Sequence, residues 1–473
     1  MKINHNQPIL TKPKKGYIKL STLTLVAFSS AFFSRVLQLL KFPSIVNLLH
    51  LGIVPWLFAF ALWKTKVKDR QQITIIKEMV VALFIFLVIS VASALLNTAG
   101  LINIAVNFLL LCEHFLFIVI ILTVPITLDK LNQLRGYIVF ASFTNLAFAY
   151  VQQYVLHLHL RQGLEDNIKG VFIAQGAGHV IGASVSLTFG IYYFFAAKNL
   201  PIWLRTVVIL ATFWHMVISD AKQVVLVFGI AGVFLLLTKF KNLADAIKFL
   251  IIFGILSYGF WWAIHNVPGM GAFQTWMRPE IYGPEGEATL LKSATFRIVP
   301  TFYESPLHPL LGLGPGHTVG RLGGWMLREY AFILRPLGAT SHPATNAIWG
   351  AAGASWLGDQ SSMFSPLFGW AGIWGDVGFL GLASFLYIWF VVWRRLCFDD
   401  ISKFLVLCPL SFGLIFTQME EPGYMIYLVC IVVLRWQEYH FSRQSTYIPK
   451  PPRLTIKTLL RPKVLLRALL LIG

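Results

Sequence analysis

Acidic residues are scarce: 20 Asp and Glu stand against 39 Lys and Arg in 473 residues, and only 12% of the chain is charged. So little charge excludes an ordinary water-soluble protein of this length. With 57% apolar residues and a mean hydropathy of +0.69, the chain belongs among polytopic membrane proteins. Cysteine is nearly absent. Cys112, Cys397, Cys408 and Cys430 fall in or beside apolar stretches, which implies packed thiols and no disulfide framework. The HExxH, CxxC and EF-hand patterns are missing, so neither a metal nor a cofactor is predicted. The Gly312–Gly316 run lacks a following Lys-Ser/Thr, and Pro315 has no N–H, which excludes a phosphate-cradling P-loop. A net charge of +19 does not point to nucleic acid, because the basic residues are scattered between apolar stretches instead of gathering on a polar face.

What is abundant is apolar sequence in helix-length runs. A bilayer core of ~30 Å needs about 20 residues per helix. That ruler gives about twelve candidate spans, near 20–40, 44–63, 79–96, 101–125, 136–156, 176–196, 203–219, 221–238, 247–264, 367–392, 402–418 and 423–436. The expected fold is an all-α transmembrane helical bundle with a long, partly helical extra-cytoplasmic loop. Its parts are a transmembrane region over 1–264, the loop over 265–366, C-terminal transmembrane helices over 367–436 and a basic cytoplasmic tail over 437–473. The N-terminus, with Lys2, Lys12, Lys14, Lys15 and Lys19 ahead of an apolar stretch, reads as an uncleaved first helix. Placing both termini inside puts about 28 of the 39 basic residues on the cytoplasmic side, as the positive-inside rule requires. The tail from Tyr447 onward alternates basic and apolar residues and is expected to lie on the inner leaflet. Within the fourth span, Glu113 and His114 are ionisable groups at membrane depth, where they serve either a proton relay or an interhelical hydrogen bond.

A loop of about 100 residues needs structure of its own and is the natural place for function. Its most informative stretch is Arg297 through Gly316, RIVPTFYESPLHPLLGLGPG, in which an Arg precedes a Pro-Leu-Leu-Gly-x-Gly-Pro-Gly turn. This stretch resembles the O-antigen polymerase and O-antigen ligase superfamily, where an Arg-containing helix runs into such a turn within the large periplasmic loop. Gly170 and Phe172, before a span near Gln175, are similar to that family's GxF motif. Trp370 to Trp389 resembles the start of its helix after the loop. The sequence departs from the family at Ser219-Asp220-Ala221-Lys222, where a Ser-Arg-Gly signature is usual, and near Phe364 and Leu367, where ligases carry a His. His342 is a displaced counterpart by spacing.

The resemblance implies glycosyl transfer, at a bacterial inner membrane, from a polyprenyl-diphosphate-linked glycan donor to a glycan or lipid acceptor. Cations would stabilise the diphosphate leaving group. The candidates are Arg297, expected on a helix reaching about Glu304, with Lys222 and Arg161, while Gly314 and Gly316 let backbone approach the ligand. An acceptor hydroxyl needs a base or an orienting group, for which His317, His342, Glu304, Asp359 and Asp376 are the candidates. Arg321, Arg328 and Arg335 read as a solvated helix face. The rival functions are a transporter or flippase of lipid-linked glycans and a non-catalytic membrane scaffold.

Overall fold

The computed structural model of the chain describes residues 20–64, 67, 69–124, 128–163, 165–173, 177–239, 243–266, 274, 278–358 and 363–445, and among these residues helices are the only regular elements. The basic tail beyond 445, the first 19 residues, Gln175 and Asp359 lie outside the described residues. In chain order the helices are α1 (Leu20–Phe32), α2 (Ser34–Leu39), α3 (Leu49–Lys64), α4 (Arg70–Leu96), α5 (Leu101–Thr123), α6 (Leu128–Tyr150), α7 (Gly178–Ala196), α8 (Ile202–Ile218), α9 (Lys222–Leu237) and α10 (Leu243–Asn266). The loop adds α11 (Pro279–Tyr282), α12 (Glu287–Ile298), α13 (His308–Leu311), α14 (Leu327–Glu329), α15 (Ala331–Leu334) and α16 (Pro343–Ala354). Then come α17 (Gly369–Leu396), α18 (Asp400–Phe412) and α19 (Pro422–Ser445).

Among the described residues, six helical segments are long and apolar enough to cross a bilayer: Ser44–Lys64, Arg70–Leu96, Leu101–Thr123, Asp129–Val155, Gly178–Ala196 and Gly369–Leu396. The chain is therefore a membrane protein built from helices. The apolar stretch at 20–40 is not one helix, because Phe33 leaves the helical region and separates α1 from α2. The stretches on either side of Asp220 do part there, with Asp220 at φ 50°, a left-handed conformation that Asp tolerates better than most residues. Side-chain caps fix other starts. Asp69 accepts from the Gln72 N–H at 2.8 Å to open α4, and Asp399 accepts from the Ser402 N–H at 2.9 Å to open α18.

The core gathers around α5 and the first half of α19, whose side chains are buried on nearly every face. A helix that is apolar all round belongs in such a central place. The four cysteines are free and buried, as their apolar settings imply.

One joint ties the loop to this bundle. The helix holding Arg297 ends at Ile298, short of the expected Glu304, because Pro300 can donate no backbone hydrogen bond to continue it. After α13 the chain turns through Gly312, Gly314 and Gly316, all at positive φ. Opposite them α17 is interrupted at Gly378, φ 66°. That interruption frees two carbonyls: Gly375 accepts from the Leu313 N–H at 2.8 Å and Asp376 from the Gly314 N–H at 2.9 Å. A Cβ on Gly378 would lie 2.3 Å from the Leu310 carbonyl carbon, and one on Gly312 would lie 2.5 Å from that of Asp376. Both backbones must be bare where they cross. Gly378→Ala and Gly312→Ala are each expected to lower stability by about 3 kcal/mol or more, through left-handed strain and backbone overlap together. Thermal unfolding of the purified variants checks this, and wild-type melting would show that the joint can relax.

Candidate functional site

Asp376 organises the loop's glycine turn. It is 1% exposed, its Oδ2 accepts from the Gly316 N–H at 2.8 Å, and its Oδ1 accepts from the Thr318 N–H at 2.8 Å and the Thr318 hydroxyl at 2.6 Å. Two further contacts seat the same turn at the end of α4 and on α5, and two more tie Thr340 to α5. Asn97 donates to the Gly312 carbonyl, while Asn103 donates to the carbonyls of Pro315 and Thr340 and accepts from the Thr340 N–H. Gly314 and Gly316 thus meet a carboxylate-bearing helix rather than an open cleft.

His317 and His342 stack with ring centroids 5.6 Å apart, and Glu304 acts electrostatically on His342. Burial draws the His317 imidazole down to about 4 and lowers that of His342, so both are neutral in ordinary buffers. The His317 Nδ1 then donates to the Leu313 carbonyl at 2.8 Å, and its Nε2 accepts from the Thr340 hydroxyl at 2.8 Å. His342 Nδ1 accepts from the Ala344 N–H at 3.1 Å and caps α16. Both rings hold backbone in place through these bonds.

The three cations expected to converge have the following local settings. Arg297 is exposed and bonds its own helix, through Nη2 to the Leu290 carbonyl at 2.8 Å and Nε to the Ser293 hydroxyl at 3.2 Å. Lys222 pairs with Asp220 at 2.5 Å. Arg161 is exposed on a short 3-10 turn.

A different pair of arginines meets inside the protein. A cavity of about 480 Å³ is lined by Arg35, Arg321, Glu421, Asn47, Gln38 and Tyr330, among others. Arg35 is 8% exposed and faces Glu421, Arg321 and Tyr330. Arg321, 5% exposed, forms an ion pair with Glu421 and lies 5.1 Å from the Trp325 ring centre. Its backbone N–H donates to Glu420 Oε2 at 2.7 Å. Arg321 is therefore a cavity cation, not part of the solvated face expected for it. Arg328 and Arg335 are exposed. The spacing 321, 328, 335 belongs to one face only in a continuous helix, and here a π-turn and two short helices break the register.

Polar atoms without partners mark what the cavity is suited to hold. They are Gln38 Oε1, the Asn47 amide at both atoms and Arg321 Nε, in residues that all line it. Buried polar groups are nearly always hydrogen-bonded, and those without a protein partner are met by water or a ligand. The lining holds two guanidinium groups and two carboxylates, Glu421 paired with Arg321 and the exposed Glu329, and its arginine donors suit a ligand with several acceptor oxygens.

Glu420 lies behind the cavity wall, 1% exposed, with Gly320 packed between its carboxyl and that of Asp376. Burial pushes the Glu420 carboxyl up to about 8; the Arg321 N–H opposes this and the nearby Asp376 adds to it. A carboxyl raised from its ordinary range in the fold lends stability that is fully present below that range and is lost as pH climbs toward 8. Glu420→Gln is expected to flatten this alkaline decline while still accepting the Arg321 N–H. Melting temperatures between pH 5 and 9 test it, and parallel slopes for wild type and variant would contradict it.

At membrane depth Glu113 does not work with His114. Its Oε2 meets His50 Nδ1 at 2.7 Å, joining α3 to α5, while His114 packs against Trp389. Among the described residues, no cluster of three or more His, Cys, Asp or Glu has metal-binding geometry. Sequence reasoning passed over Arg35, hidden in an apolar run, and Glu420-Glu421, hidden between two helices. An ionisable residue inside an apolar segment was the available signal for each. Comparison with known proteins adds no assignment: no family model matches the chain, and no curated protein matches it.

Proposed function

We propose that this chain is a membrane glycosyltransferase, of the O-antigen polymerase and ligase type, that uses a polyprenyl-diphosphate-linked glycan as donor. The cavity holding Arg35 and Arg321 is the observation that carries this reading. The resemblance of the Arg297–Gly316 stretch supports it, as does the anchoring of that turn beside the same cluster of charges. In the reaction an acceptor hydroxyl oxygen attacks the anomeric carbon of the donor. The bond from that carbon to the diphosphate oxygen breaks, the diphosphate leaves with the electron pair, and the acceptor's hydroxyl proton passes to the departing diphosphate. Arg35 and Arg321 neutralise the charge that builds there, in a site shielded from water, where such bonds count for more. Glu421 holds Arg321 in position. Deleting the coding sequence in its host should shorten or remove a surface polysaccharide, and an unchanged chain-length profile would count against the reading.

Transfer on the outer face requires the loop to lie outside. Reporter fusions at Gly283 and Arg328 should read extra-cytoplasmic and a fusion at Arg443 cytoplasmic, in keeping with the distribution of basic residues. The reverse pattern would put the cavity on the wrong side of the membrane. One observation favours the transporter reading, the buried His50–Glu113 pair, since ionisable pairs at membrane depth serve transport pathways. Proteoliposomes carrying labelled lipid-linked glycan separate the two, because only a transporter moves the intact donor between leaflets.

A further inference from the structure

A second cavity, of about 700 Å³, lies between α9, α12 and the end of α18, and its Phe368 and Ile415 adjoin Leu367 and Phe416 of the first. Its wall is almost wholly carbon, with Leu226, Phe296, Phe368, Leu414 and Ile415 among the lining residues. Leu226 is one turn from the start of α9 and Ile415 three residues past the end of α18, and these two helices pack together. The groove therefore sits at the loop end of the bundle. Phe296 and Leu414 remain 45% exposed. Beyond the groove, half-buried Ile230 and exposed Phe234 and Leu237 follow Leu226 at helical spacing and continue an apolar track along α9.

Lys292 is the cation of this groove. Its Nζ donates to the Ile415 carbonyl at 2.8 Å and lies 5.0 Å from the Phe368 ring centre. Among the described residues, no carboxylate lies within ion-pair distance of it. Burial without a counter-charge draws the Lys292 amine down to about 7. A cation placed so, with a carbon-lined trough leading from it toward the lipid-facing side of α9, lacks an anion that carries an alkyl chain.

We propose that this groove binds an anionic phospholipid from the leaflet on the loop side, with its phosphodiester against Lys292 and one acyl chain in the trough. Charge decides between lipids. A phosphodiester carries one negative charge and matches one lysine, whereas a diphosphate carries more than this single lysine offsets. The groove's volume also falls in the usual range for sites that enclose a small molecule, about 300–1,000 Å³. The inference needs no turnover and stands apart from the transferase reading.

Native mass spectrometry of the purified full chain tests it, with phosphatidylglycerol and phosphatidylcholine titrated into detergent micelles. The wild type should hold one phosphatidylglycerol in preference to phosphatidylcholine. Lys292→Met should weaken this binding about 10- to 100-fold, the usual value of a hydrogen bond between charged groups, and Lys292→Arg should keep most of it. Leu414→Trp, which fills the trough and leaves the lysine in place, should also lose the lipid. Equal binding of the two phospholipids, or full binding by Lys292→Met or Leu414→Trp, would overturn the proposal. Displacement of phosphatidylglycerol by a polyprenyl phosphate at lower concentration would overturn the choice of occupant.

Discussion

Arg35→Gln should cut product formation about 10²- to 10⁴-fold in membranes that contain normal amounts of the protein. An arginine fork can make two charge-assisted bonds to phosphate. At about 1.5–3 kcal/mol each, and ~1.4 kcal/mol per factor of ten in rate, losing both gives that range. Gln reaches only as far as the arginine Nε and keeps an uncharged amide donor, so the fork and its charge are lost while the side chain stays polar. Arg321→Ala should lose as much product but also protein, because Glu421 would lose the arginine it pairs with and keep the charge of Arg35 opposite it, at a cost of about 3 kcal/mol or less. Adding Glu421→Ala to it should restore abundance without restoring product. Product measured per unit of membrane protein separates these effects, and wild-type output from well-expressed Arg35→Gln would remove the arginines from the reaction.

Asp376→Asn should damage the fold before it touches chemistry. The carboxylate accepts three hydrogen bonds, two at Oδ1 and one at Oδ2. An amide has a single acceptor oxygen and would turn its NH₂ toward a backbone N–H. One buried donor is then unsatisfied and another is opposed, at a combined cost of roughly 3–5 kcal/mol. Melting of the purified protein should fall by roughly 5 °C or more. If Asp376 instead served as the base for the acceptor, Asp376→Asn would melt like the wild type and be inactive. The two outcomes decide between a structural carboxylate and a catalytic one.

Six of the twelve expected spans coincide with helices long and apolar enough to cross a bilayer, and these were legible because a bilayer demands long apolar runs, and a run is a local property. The break at Asp220 was legible for the same reason: charged residues stand alone between two such runs. The glycine turn of the loop was visible as a motif, although its partner was not. Nothing local to Gly312–Gly316 announces that Asp376 and Gly378, some 60 residues on, complete it. The cavity arginines were hidden by the same limitation. Arg35 looks like a stray charge near the end of a span, and Arg321 looks solvated because the residues around it are ordinary loop residues. Only folding brings them to Glu421, about 100 residues beyond Arg321. Arg297 has the clearer local motif and the plainer location. Its guanidinium closes on its own helix, so Arg297→Ala is expected to be much milder than Arg35→Gln.

Purified protein in liposomes, supplied with a polyprenyl-diphosphate oligosaccharide as donor and acceptor, gives the most direct test of the central claim. If the Arg35 and Arg321 cavity serves glycosyl transfer, each lengthened glycan appears with one released polyprenyl diphosphate, and Arg35→Gln yields neither. An intact donor recovered in the opposite leaflet, or no change to the donor in the presence of well-folded wild-type protein and a competent acceptor, would contradict it.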